Sequence, residues 1–125
     1  TLVELKLRDN SIGDLGANYL GESLKTNSSL KELDLTGCLI EEIGACAIAD
    51  SIKSNSTLTH LNLNFNRIGG QGAIMLADAL HSNYTLSELC LSNNDIERTL
   101  KLRYKTFKQL SIVTLLKDVS LITLC

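Results

Sequence analysis

The sequence predicts an α/β solenoid, a segment of a horseshoe with a parallel sheet on its concave side and helices on its convex side. Three observations lead there. A unit of 28 residues recurs with its apolar positions in step, so that Leu30, Leu33, Leu35, Ile40, Ile48 and Ile52 become Leu58, Leu61, Leu63, Ile68, Leu76 and Leu80; a fixed period of this size marks stacked supersecondary units. Within a unit the apolar residues first alternate, as in Leu33 and Leu35, and then fall at i, i+3, i+4 and i+7, as in Ala45, Ile48, Ala49 and Ile52, which is the change from strand to helix periodicity. The 28-residue step also leaves room for the connection of a dozen or more residues that a strand, helix and parallel strand require. Helices are wider than strands, so the stack curves with the sheet inside.

Taken in order, the units start at residues 2, 30, 58 and 86. The first runs through Leu2, Leu5, Leu7, Asn10, Ile12, Gly16, Ala17, Leu20, Leu24 and Asn27, and the fourth through Leu86, Leu89, Leu91, Asn94 and Ile96, where the register stops. Each strand ends on a residue that must pair backbone groups turned inward, and Asn offers two donors and an acceptor for it. Asn10, Asn66 and Asn94 form this predicted ladder, which Cys38 interrupts with a weaker donor. Gly16, Gly44 and Gly72, each followed by Ala, bring the start of each helix close to the sheet. Asn27, Asn55 and Asn83 follow the helices, where a left-handed Asn stops a helix. They also read as the glycosylation triplets NSS, NST and NYT, which a repeat needing Asn followed by small polar residues generates on its own.

Residues 97–125 form a divergent tail. Leu100, Tyr104, Phe107 and Ser111 share one helical face, and Leu116, Val119, Leu121 and Leu124 repeat the strand spacing 30 residues after Leu86. The tail therefore reads as a degenerate fifth repeat, with a disordered end as the alternative.

The pattern LxxLxLxxN followed by a helical half resembles the leucine-rich repeat, in the version found in ribonuclease inhibitor and in the sensing domains of NLR-type cytosolic receptors. The resemblance covers residues 1–96 and implies a leucine-rich-repeat solenoid. For function it implies a non-catalytic protein-binding module, the sensing or regulatory part of a larger cytosolic receptor or scaffold, with innate immunity as the setting in NLR-type proteins. The activators of the small GTPase Ran share this repeat type and provide an enzymatic alternative. Arg8 is the concave-face arginine able to stabilise phosphoryl-transfer charge for such a role.

Composition narrows the partners. Residues 1–96 carry six Lys or Arg against twelve Asp or Glu, and the tail six against two. An acidic array gives no basis for binding nucleic acid, whose phosphates demand a basic surface. No apolar run approaches the roughly 18 residues of a membrane span. The four cysteines, Cys38, Cys46, Cys90 and Cys125, show no disulfide framework and favour a reducing, cytoplasmic compartment. Thr1-Leu2 opens directly on a strand motif without Met, so the chain is expected to be a piece of a longer one. Repeat arrays need polar caps, and uncapped ends exposing Leu2, Leu5 and Leu7 are open to self-association.

Residues between the strand leucines point to the concave face, because successive side chains alternate. That face reads Glu4, Lys6, Arg8; Glu32, Asp34, Thr36; His60, Asn62, Asn64; and Glu88, Cys90, Ser92, with Asp9, Gly37, Phe65 and Asn93 along the rim. The candidate protein-binding set is Glu4, Lys6, Arg8, Glu32, Asp34, His60, Asn62, Asn64, Phe65, Glu88 and Cys90. Phe65 is the candidate anchor, since an exposed aromatic supplies much of a binding energy; packing over the neighbouring rim is the other use of such a residue. No cofactor is expected: Gly69-Gly70-Gln71-Gly72 lacks the Lys-Ser/Thr of a phosphate loop. His60 and Cys90 share a face, but two ligands fall short of the three or four of a protein zinc site, so no metal is expected either.

Overall fold

The computed structural model describes residues 1–96, 98 and 123–125. Strands and helices alternate through the repeats: β1 (Glu4–Lys6), α1 (Gly13–Thr26), β2 (Glu32–Asp34), α2 (Glu42–Ser54), β3 (His60–Asn62), α3 (Gly69–His81) and β4 (Glu88–Cys90), with β5 (Thr123–Leu124) at the end. The strands form one sheet in the order β1-β2-β3-β4-β5. All pairs are parallel, and Leu5, Leu33, Leu61 and Leu89 stand side by side across it. The solenoid is the predicted one.

Alternation decides which side of the sheet is packed. Leu33, Leu35, Leu61, Leu63 and Leu89 turn away from the concave face and are buried together with Ile48, Ile52, Leu76 and Leu80 from the helices. α1 packs on α2 and α2 on α3. The glycine at each helix start serves this helix contact as much as the approach to the sheet: a Cβ on Gly72 would lie 2.9 Å from Ala45 Cβ and 2.7 Å from Ile68 Cγ2. On the outer surface Lys25 bridges to Asp50 at 2.9 Å and Lys53 to Asp78 at 3.3 Å, one helix to the next.

The predicted asparagine ladder is present. Asn66 Oδ1 accepts the amides of Cys38 and Ile40 in the preceding repeat, both at 3.0 Å, while its Nδ2 donates to the carbonyls of Leu35, Leu63 and Asn64. Asn94 does the same one repeat later, toward Ile68, Leu63, Leu91 and Ser92. Cys38, fully buried, keeps only the donor half, its thiol reaching Leu7 O at 3.1 Å.

A second ladder corrects the reading of the helix stops. Asn27 and Asn55 are extended, at φ −71°, ψ 130° and φ −75°, ψ 131°, and not left-handed. Their side chains do the work instead. Asn55 Oδ1 accepts the amides of Thr57 and Leu58, and its Nδ2 donates back to Leu24 O and Asn27 O. Asn83 repeats the pattern against Ile52 and Asn55. Asn55 and Asn83 are buried, so the amide nitrogens that a glycan would need are committed inside the fold.

Two expectations about the end of the chain change. β5 pairs Leu124 with Leu89, an offset of 35 residues in place of the expected 30 that put Val119 there. The predicted helical face of Leu100, Tyr104, Phe107 and Ser111, and Leu116, Val119 and Leu121, lie outside the described residues. Cys90 and Cys125 form a disulfide, while Cys38 and Cys46 are free. The absence of disulfides expected from cysteine spacing is therefore wrong, because the pairing follows from the β4–β5 register and not from sequence distance. At the other end Leu2 and Val3 are about half exposed, at 57% and 50%.

Candidate protein-binding face

The parallel register sets the concave residues in rows that cross the sheet. Glu4, Glu32, His60 and Glu88 form the first row. Lys6, Asp34, Asn62 and Cys90 form the second, and Arg8, Asn64 and Ser92 continue beyond the strand ends. The rows enclose a shallow concavity of about 150 Å³ that Lys6, Asp34, His60, Asn62 and Glu88 help to line.

Carboxylates dominate this surface, and its cations lie against them. Lys6 Nζ is 2.6 Å from Glu4 Oε1, and the hydrogen bond to Glu4, followed by Coulomb attraction to it, raises the Lys6 pKa above the ordinary lysine value. Arg8 Nε stands 4.0 Å from Asp34 Oδ2 across the β1–β2 boundary. Asp34 is held in place by its own turn: its Oδ1 accepts the Thr36 amide at 3.0 Å and the Thr36 hydroxyl at 2.6 Å. Asn62 accepts the amide of Asn64 at 3.0 Å in the same way, and Asn64 Oδ1 accepts the Ser92 amide at 2.7 Å. A partner meets polar groups that are already oriented.

The rim is a line of left-handed residues. Asp9, Gly37, Phe65 and Asn93 have φ of 56°, 65°, 55° and 57°, because the chain turns here while the amide still reaches the next repeat, as Phe65 N does to Ser92 O at 2.9 Å. Gly, Asn and Asp tolerate this conformation, whereas for a bulky residue it is an outlier. Phe65 occupies it with its side chain 63% exposed.

The structure sets the candidate residues along one face and its rim as exposed or half-buried side chains. Cys90 is the exception: it lies on the concave side but is only 5% exposed and bonded to Cys125, so it is not a free contact residue. Thr36 is also withdrawn from the face, buried by its bonds to Asp34. Cys125 is the residue that the sequence reading missed. Its only signal was a second LxxL spacing, Leu121 and Leu124, ending one residue before it.

The sequence matches the profile described as Leucine Rich repeat over residues 1–21, 26–49 and 54–77, together more than half of the chain. The chain belongs to the leucine-rich-repeat family. Among solved structures it is similar to Leiomodin-1 Actin-Binding Site 2 (ABS2), at 28% identity and a TM-score of 0.80, with 98% of this chain and 68% of that chain covered. No curated protein matches the sequence at a significant level.

Proposed function

We propose that this chain is a non-catalytic protein-interaction module that binds a protein partner through its concave face and rim, as the regulatory part of a larger cytoplasmic receptor or scaffold. The observation that carries the reading is Phe65, an exposed aromatic kept at φ 55°. Backbone strain of this kind costs about 1–3 kcal/mol and persists mostly where function uses it. Beside it stand oriented polar side chains on rigid strands, Asp34 and Asn62 among them, which is the composition of a contact surface with one aromatic anchor. The 28-residue period with a full α-helix per unit favours the ribonuclease-inhibitor type of repeat. The cytoplasmic setting rests on the likeness of the repeat to that of cytosolic receptors; Cys38 and Cys46 are free, while the Cys90–Cys125 disulfide points the other way.

Actin is the first partner to test, because the similar leiomodin-1 structure is an actin-binding site. Arg8, which a GTPase-activating role would use, is turned toward Asp34 and lends that alternative no support. The experiment compares the parent with an Asp34→Lys, Asn62→Ala, Phe65→Ala variant of matched melting temperature, measuring affinity for monomeric and filamentous actin. Binding by the parent that the variant loses supports the concave face. Equal binding by both moves the contact to the helices, and no binding by either removes actin as the partner.

A further inference from the structure

Where β4 meets β5 the concave face carries a group of side chains that the protein-binding reading does not use as a unit. Glu88, Cys90 and Cys125 place one carboxylate oxygen and two sulfurs within 4.8 Å of one another. Glu88 Oε1 lies 3.7 Å from Cys90 Sγ and 3.5 Å from Cys125 Sγ, and its other oxygen lies 4.0 Å from His60 Nε2 on β3. The sulfurs of a disulfide have no proton to donate, so a carboxylate set against both gains no hydrogen bond there. Two thiolates would only repel it. A divalent cation between them would remove that repulsion.

The imidazole is prepared for the same role. The Thr59 hydroxyl donates to Lys31 O at 3.0 Å, which leaves its lone pairs to receive a proton from His60 Nδ1, 2.9 Å away. The tautomer so fixed carries its hydrogen on Nδ1 and presents the Nε2 lone pair toward Glu88. A neutral histidine whose other nitrogen is tied in this way is the form that ligates metals.

We propose that, once the Cys90–Cys125 bond is reduced, Cys90, Cys125 and Glu88 form a site for Zn²⁺ or a similar borderline-soft divalent cation, with His60, which stands beyond the far oxygen of Glu88, swinging in as the fourth ligand. Zn–S distances near 2.3 Å and Zn–O distances near 2.1 Å put sulfur and oxygen ligands about 3.5 Å apart, the separation already present between Glu88 and the two sulfurs. The Cα atoms of Cys90 and Cys125 are 4.5 Å apart, so both sulfurs can face one ion. The chemistry balances in two steps. A dithiol reductant gives two electrons and two protons to the disulfide, forming two thiols and its own disulfide. Zn²⁺ then displaces both thiol protons to solvent and leaves a bis-thiolate complex.

The test is a Co²⁺ titration of the 125-residue chain, oxidised and after reduction by a water-soluble phosphine removed before metal is added. The reduced protein is expected to bind one Co²⁺ with thiolate charge-transfer absorption and the d–d bands of a tetrahedral ion, and the oxidised protein to show neither. Cys90→Ser and Cys125→Ser should abolish the charge-transfer band. His60→Ala and Glu88→Gln alter exposed side chains and leave the helical circular dichroism intact; they should weaken Co²⁺ binding at least roughly tenfold, and Thr59→Val by roughly 10- to 100-fold, as expected for a group that orients a ligand. Absence of thiolate bands in the reduced protein overturns the proposal. So do bands that persist in either serine variant, or affinity unchanged by both His60→Ala and Glu88→Gln.

Discussion

Asn83 Nδ2 donates to the carbonyl of Asn55 at 2.9 Å, and Asn55 donates in turn to that of Asn27 at 3.3 Å, so the ends of the three helices are tied in series. Asn55 is buried and sits in the middle, with partners on both sides. Replacing it by Ala leaves the amide of Leu58 and the carbonyl of Leu24 unpaired in the interior, each worth about 1–3 kcal/mol. Asn55→Ala is therefore expected to cost roughly 3 kcal/mol in urea unfolding. Asn27 is exposed and its oxygen serves only Ser29 and Leu30, so Asn27→Ala should cost under about 1 kcal/mol. Equal losses at the two sites would show that the series linkage contributes nothing.

The repeat made most of this fold readable. One 28-residue step placed β1 to β4 and α1 to α3, and strand alternation alone put Leu61 and Leu63 inside and Asn62 outside. What stayed hidden depends on geometry that residue type does not encode. An Asn after a helix serves equally as a left-handed stop or, as at Asn55, as an extended residue whose side chain does the pairing. Thr36 had the parity of an exposed residue, but Asp34 folds back onto it. The Cys90–Cys125 pair exists because Leu124, and not Val119, lies beside Leu89.

Leu61 and Leu63 carry the consequence of that parity. Both are buried, at 1% and 0% exposure, so replacing either by Ala should cost about 2–5 kcal/mol. Chemical unfolding reads the effect directly. A loss under about half a kcal/mol at both positions would contradict their inward direction.

The Cys90–Cys125 link closes a span of 35 residues. Constraining an unfolded loop of that length is worth up to about 4 kcal/mol, so reduction should lower the denaturation midpoint by a comparable loss of stability. Of the two free thiols, Cys38 is buried and Cys46 only partly so, and desolvation raises the pKa of both. In native oxidised protein a thiol reagent is expected to label Cys46 first, faster as pH rises. Rapid labelling of four thiols without reductant would show that the disulfide does not form.

Acid should weaken the outer surface in a defined direction. The Lys25 ammonium beside Asp50 lowers that carboxyl below its ordinary value of 3.8, first by hydrogen bonding and then by Coulomb attraction. A depressed folded pKa contributes stability above the unfolded pKa and loses it as pH falls through the folded one. Stability of the parent should therefore decline faster on acidification below pH 3.8 than that of Asp50→Asn. The difference should shrink at high salt, because the pair is exposed. Identical pH profiles for the two proteins would remove this contribution.

Phe65 separates stability from binding. Its left-handed backbone suits Asn, which holds the equivalent place at residue 93 with φ 57°, and its ring, 63% exposed, returns little burial. Phe65→Asn should therefore relieve strain and stabilise the chain by about 1 kcal/mol, read as a higher melting temperature. If the aromatic is kept for a partner, the same variant should bind that partner at least about tenfold more weakly, the loss of a residue worth more than 1.4 kcal/mol at an interface. A gain in both properties would mean that the rim aromatic is dispensable for recognition. A loss of stability would mean that its ring packs on the neighbouring repeat more than its exposure implies.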